Sequence, residues 1–497
     1  MNKAFIPFFF ATFTFFLGAT VHAENETSNM SHGAERVDHN KNVFRSDPTY
    51  ADKPYSKEAQ LRIYGDKRAV TTPRPLLELG RPIYTPGPYS AAGTVFGNLN
   101  PNYHAFAIYG DWKAAAAWND NGILEKSSLA TQLNLDIDYQ FTGTERIHSF
   151  IQPLNQGGNF TGCESGPDGS GDCELKADLN IDTLFFEGDL SSLYAGWTGE
   201  YQSWDLPFAI GLMPLVVQNG VWIDDAFTGL AATLPAMNSP KFDISNMDVT
   251  FFTAFDKVTS QGVLDINNRV ADSDVKLYGL NMFIEANRGY WEAGYAYTDG
   301  DDELDDQDYH NITIAHSRRL KDLLSNSVRV IWNFGQNRDT NRQNADGFLI
   351  LLENSFITSK PLTFIPYLNL FSGFDRPQSL ARAGAAGGVL KNTGINFETD
   401  NLTGFPKLDD SANNTYGGAL GIEYLFSLDQ QLVWELATVQ TMGNSNSRTA
   451  QGDQYAIGMR YQRPLTKAWI FRTDVMAADR KNDENLFGAR LEIRRKF

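Results

Sequence analysis

Charged residues recur at every second position in several segments of this 497-residue chain. Asp136 and Asp138 alternate with Leu135, Ile137 and Tyr139 in "LATQLNLDIDYQF". Asp178 and Asp182 alternate with Leu179 and Ile181 in "KADLNIDTLFF". Later, Glu423, Glu435, Arg460, Arg472, Asp474, Arg490, Glu492 and Arg494 keep the same spacing among aromatic and aliphatic residues. A period of two sends successive side chains to opposite faces of a strand. Such spacing lines a wet wall and does not converge on one reacting atom, so its chemistry is electrostatic. An acidic arc facing a basic arc across water selects solutes by sign and dipole. The same charges, paired with one another, would simply fill an interior. The residues leave both readings open.

Catalytic constellations are not legible. His148, His310 and His316 have no serine placed beside them by any motif, and Ser170 in "DGSGD" lies in a glycine-rich loop, not on a strand-to-helix elbow. No phosphate-binding glycine loop or zinc spacing occurs. The expectation is a non-enzyme. A formal net charge of −18 argues against nucleic acid as a partner, because phosphate contacts need a basic face. Cys163 and Cys173 bracket a short glycine-rich span and are expected to form a disulfide in an oxidising compartment. "TDGDDELDDQDYH" gathers Asp299, Asp301, Asp302, Glu303, Asp305, Asp306 and Asp308. Calcium is one occupant of so oxygen-rich a loop, yet EF-hand spacing is absent, and a solvated acidic loop needs no ion.

The elements that position these charges are strands of about ten residues. "NSVRVIWNFGQ" sets Val328, Val330, Trp332 and Phe334 against Arg329 and Asn333, and "WIFRTDVMA" sets Trp469, Phe471 and Val475 against Arg472 and Asp474. The final "NLFGARLEIRRKF" sets Phe487, Leu491 and Ile493 against Arg490, Glu492 and Arg494. Short connections such as "EANRGYW" and "RPLTKAW" alternate with long polar ones, the longest running from about Ser372 to Asn414. The glycine-rich "AGAAGGV" at 383–389 reads as flexible loop or infolded constriction. Short turns on one side, long loops on the other and aromatics at strand ends predict an all-β, antiparallel transmembrane barrel over 104–497, of about 18 strands with 16 as the next even count. The stretch 200–270 is the hardest to divide. Residues 1–23 read as a secretory signal peptide, with Lys3, an apolar Phe5–Leu17 and a small-residue site at Ala23. Residues 24–103, polar and then rich in Pro and Gly, read as a periplasmic extension or partial plug.

One stretch, "LPFAIGLMPLVVQNGVWIDDAFTGLAATLP", runs through a glycine-centred strand and a polar turn into Trp222, Asp224, Asp225, Phe227 and Gly229. It resembles the outer-membrane barrels of the alginate-export type. The resemblance implies a bacterial outer-membrane channel passing hydrophilic solutes or saccharides, with the charges above lining its pore. It also implies lipid and lipopolysaccharide as surroundings, and recognition of Phe497 by the barrel-assembly machinery. The different-class alternative is a non-transporting barrel, for surface binding or as a sleeve around a partner. The pattern sets no oligomeric state.

Overall fold

The computed structural model describes residues 73–80, 93–167, 171–271, 273–426 and 429–497. The predicted signal peptide and the polar stretch up to residue 72 lie outside the described residues. Eighteen antiparallel strands close into a barrel. In chain order they are β1 (Ala105–Asp120), β2 (Glu125–Gln140), β3 (Arg146–Ile151), β4 (Ile181–Asp189), β5 (Pro207–Val217), β6 (Ile223–Ser239), β7 (Ile244–Asp256), β8 (Val275–Ala286) and β9 (Gly289–Gly300). The circuit continues through β10 (Tyr309–Leu320), β11 (Leu324–Phe334), β12 (Phe348–Phe356), β13 (Phe364–Phe374), β14 (Thr415–Phe426), β15 (Gln430–Thr441), β16 (Gln454–Pro464), β17 (Trp469–Arg480) and β18 (Leu486–Lys496).

Each strand pairs with its neighbour in this order, and β18 returns to β1 with Asp111 opposite Lys496 and Asp120 opposite Phe487. The last strand and the first barrel strand thus share the seam that closes the barrel. Closure leaves the ring of wall strands without a first or last edge strand. Past Asp111 the seam continues through Phe497, whose N–H donates to Gly110 O at 3.1 Å. Below it, the short strand Leu77–Gly80 pairs with Ala105–Ile108. Leu77 and Leu79 thereby share a face with Ile108 and Phe106, so this part of the N-terminal extension adds to the wall.

Alternation decides which face meets which surroundings. Leu420, Trp434, Ile457 and Leu491 point outward and are exposed, whereas Ala419, Val433, Ala456 and Arg490 point inward and are buried. Aromatic pairs mark both rims of the outer face, Trp118 against Phe487 at 4.9 Å and Trp112 against Trp469 at 6.1 Å. A closed barrel satisfies every wall N–H and C=O internally, which is what lets strands cross lipid. No described helix is long and apolar enough to cross a membrane.

At one end the links are mostly short, such as Asn287–Arg288 and 321–323; at the other they are mostly long. β3 has only six residues, and the upper part of β2 pairs instead with the ribbon Asn159–Ser165, whose partner is Gly171–Glu174. Cys163 lies opposite Cys173 there and the two are disulfide-bonded, as expected. Pro214 falls in the part of β5 that β4 does not pair, opposite Ala226 of β6. Among the described residues one α-helix departs from the all-β expectation: α1 (Leu190–Thr198), between β4 and β5. Its N-cap Asp189 accepts from Ser192 N, and Gly199 ends it in the left-handed region at φ 76°.

Candidate solute passage

Of the connections from the long-loop end that fold into the lumen, two shape its middle. The first is the link between β5 and β6, Gln218–Trp222. Its Trp222 is fully buried, donates from Nε1 to Asn311 Oδ1 at 2.9 Å and packs edge-on to Phe252. Gly294 on β9 makes the room, because a Cβ there would lie 2.5 Å from the indole. Arg329, inward on β11, donates to Gln218 O at 2.6 Å. Asp225 accepts from Thr259 N at 2.7 Å, and Asp224 pairs with Lys391. The Trp–Asp–Phe stretch that carried the family resemblance is thus a junction between three connections inside the barrel.

The second connection is the long loop 375–414. Arg376 makes a two-point ion pair with Asp346, Leu380 N donates to Trp222 O, and Arg382 bridges Ser379, Ala386 and Gly220. Leu390, Phe397 and Leu408, each almost fully buried, pack with Ile331, Leu349, Leu351 and Val439 of the wall. Burial at this level stabilises by roughly 1.5–3 kcal/mol per large side chain. The loop is therefore an internal wall, not a flap held by surface ion pairs worth about 0–1 kcal/mol each. Asp409, on this loop, donates its N–H to Gln454 Oε1, and its side chain accepts from Ser411 Oγ. Desolvation pushes its carboxyl up from 3.8 to about 6. A carboxyl raised on folding binds its proton more tightly in the folded state. Its contribution is thus full below the unfolded value and lost as pH rises through about 6. Hydrogen exchange of residues 405–414 should accordingly quicken between pH 4 and pH 7, after correction for intrinsic rates. Asp409→Asn should flatten that dependence.

The loop's acids meet the wall's bases. Asp474 on β17 accepts from Arg460 at 2.6 Å, Arg472 at 2.8 Å and Arg490 at 2.8 Å. Glu398 of the loop reaches Arg460 at 2.5 Å and Arg472 at 3.5 Å, and Asp400 reaches Arg490 at 2.6 Å. Glu492 stands 3.9 Å from Arg490. Arg494 forms a two-point pair with Asp111 across the seam, 2.9 Å at each contact. Glu435, fully buried on β15, accepts from Ile395 N and Asn396 N at 2.9 Å each and from Tyr367, pinning the loop's deepest turn. Glu423 accepts from Gln431 at 2.6 Å. Two strands on from β18, on β2, Asp138 and Asp136 face inward and share His148, whose Nδ1 lies 2.6 Å from Asp138 and Nε2 3.5 Å from Asp136.

The reading of Asp178 and Asp182 as wall residues needs correction. Asp178 lies in the irregular stretch before β4 and is hydrogen-bonded to Asn180. Asp182 falls at a register break, between Ile181 opposite Ile151 and Thr183 opposite Phe150, and is exposed. Alternation breaks there because Asp178 precedes the strand and Asp182, its second residue, is the extra one at the bulge. Glu398, Asp400, Lys391 and Arg382 were missed, because a loop carries no periodicity; only the glycine-rich run beside them gave a signal. In the acidic loop, Asp301 pairs with Lys276 and Asp306 with Arg338, and the described residues hold no cluster of three or more His, Cys, Asp or Glu arranged for a metal.

Two polar cavities flank the loop. One, of about 530 Å³, is lined by Tyr367, Asn369, Lys391, Glu423, Gln431 and Arg460. The other, of about 500 Å³, is lined by Lys113, Gln132, Gln152, Asn155, Phe160 and Glu492. Both touch Ala385 and Thr399, so the loop forms the partition between them.

No family model matches the chain, and no curated protein matches it. Solved structures do. Pseudomonas aeruginosa OpdL superposes with a TM-score of 0.50 at 10% identity, over 79% of this chain and 98% of that one. Pseudomonas aeruginosa OccK5 (OpdH) gives 0.49 at 11% identity over 82% and 99%, and Acinetobacter baumannii OccAB4 gives 0.48 at 11% over 79% and 98%. The fold is that of the outer-membrane porins. None of these names is an alginate exporter, so the finer resemblance finds no support here.

Proposed function

We propose that the protein is an outer-membrane channel for small hydrophilic solutes, with a preference for neutral polar molecules such as saccharides. The carrying observation is the charge balance at the partition. Arg460, Arg472, Arg490 and Lys113 stand against Asp474, Glu398, Asp400 and Glu492, four charges of each sign. An anionic polymer such as alginate would need unoccupied cations along its path, and these guanidiniums already hold fixed carboxylates. Amides and hydroxyls fill the remaining lining, among them Gln132, Gln152, Asn155 and Asn369, suited to hydroxyl-rich solutes.

Reconstitution in planar bilayers tests the channel. Ohmic single-channel steps with a small reversal potential across a KCl gradient are the expected result. A folded protein giving no resolvable current would return the chain to the non-transporting reading, a barrel whose infolded loops close it.

A further inference from the structure

Helix α1 stands apart from the passage. It lies at the short-turn end and holds no charged residue. One face, Ser191, Leu193, Ala195 and Gly196, is buried. The other presents Leu190, Tyr194 and Trp197, spaced i, i+4, i+7, with Trp197 68% exposed. Tyr201 and Trp204 follow and are also exposed. Large aromatics left in water in such number call for a covering surface.

The buried face shows where the helix stands. Gly196 meets Gly97 backbone to backbone: a Cβ on Gly97 would fall 1.8 Å from Gly196 O. Next to Gly97, Phe96 packs edge-on to Phe141 at 6.3 Å, Phe141 on Phe186 at 6.5 Å, and Phe186 on Phe208 at 5.9 Å. Phe186 shares its face with Ile147 and Ile210, both outward and exposed. The helix is therefore joined, through the strap 93–102, to the outward aromatic girdle and not to the lumen wall. Asn100 fixes the strap by donating to Glu145 Oε2 at 2.7 Å.

We propose that α1, with Tyr201 and Trp204, is a lipid-binding foot lying in the headgroup boundary of the phospholipid leaflet at the short-turn end of the barrel. This rests on the reading that the barrel spans the outer membrane. The occupant is lipid because the exposed face continues the lipid-facing girdle, and because tryptophan and tyrosine on an uncharged helix suit that boundary. A helix of this kind sits about 5–10 Å into the interface. Anionic lipid is not required, since the face offers no cation.

The test places a nitroxide at Trp197→Cys, Tyr194→Cys, Glu200→Cys or Leu420→Cys in the full chain, its own cysteines left disulfide-bonded. Each variant is reconstituted in phosphatidylethanolamine–phosphatidylcholine vesicles and accepted only if it shows the heat-modifiable migration of a folded barrel. Power saturation then compares collisions with oxygen and with a water-soluble nickel chelate. The expected oxygen-to-nickel ratio at 194 and 197 is several-fold above that at 200 and below that at Leu420 in the middle of β14. A ratio at 194 and 197 equal to that at 200 overturns the foot, as does shielding from both probes, which would mean a protein cover. A water-like ratio at Leu420 would instead overturn the membrane reading beneath it.

Discussion

Excising Arg376–Asn413 and joining β13 to β14 by a tight turn should raise single-channel conductance several-fold while the barrel still forms. The join is geometrically available. Gly373 already lies opposite Thr415, and Asn414 N donates to Asp375 O at 3.0 Å, so the loop leaves and re-enters the wall at a closed base. The wall does not depend on the loop for its ladder, because β13 pairs with β14 over ten residues without it. Nothing less than excision should open the passage widely. The three almost fully buried anchors Leu390, Phe397 and Leu408 hold the partition through apolar burial, which substitution of its charged residues leaves in place. An excised barrel that folds with unchanged conductance would place the ion path elsewhere.

Glu398→Gln combined with Asp400→Asn should change selectivity without changing pore size much. The pair of substitutions removes two of the four acids at the partition and leaves Arg460, Arg472 and Arg490 sharing Asp474 and the more distant Glu492. The unbalanced guanidiniums then face water, and the reversal potential in a KCl gradient should move toward the chloride limit by a sizeable fraction of it. Charge reversal at Arg472, the least buried of the three, should move it the opposite way, toward cations, whereas Arg490 is buried in the cluster with Asp474 and Asp400. Asp474→Asn is a poorer probe. That carboxylate is buried with all three arginines on it, and stripping one partner from a buried ion cluster costs about 3–5 kcal/mol. Unchanged reversal potentials in both directions would say that these residues do not line the path.

The sequence makes the wall legible where one face is wet. Around Asp136 and Asp138, and again from Phe487 to Arg494, inward positions are charged and outward ones apolar, so alternation reports the strand and its orientation. It fails between residues 200 and 270 for a physical reason. There the lumen side is apolar too: Met213, Phe227, Phe252 and Ala254 point inward onto Trp222 and the infolded loops. With both faces apolar, the period of two disappears. Helix α1, capped by Asp189 and Gly199, lies outside the alternation altogether. The bases of the candidate passage were readable as alternating arginines on β16, β17 and β18. Their partners Glu398 and Asp400 were not, since they sit on a loop whose course is set by the packing of Leu390, Phe397 and Leu408 on wall strands, which leaves no periodicity.

Liposome swelling measures the central claim most directly. Vesicles carrying the intact protein are diluted into isotonic solutions of a neutral hexose or of a hexuronate of matching ring size. The balanced partition predicts faster entry of the neutral sugar. Equal or faster entry of the hexuronate would contradict it, and would mean that the arginines release their carboxylates to passing anions.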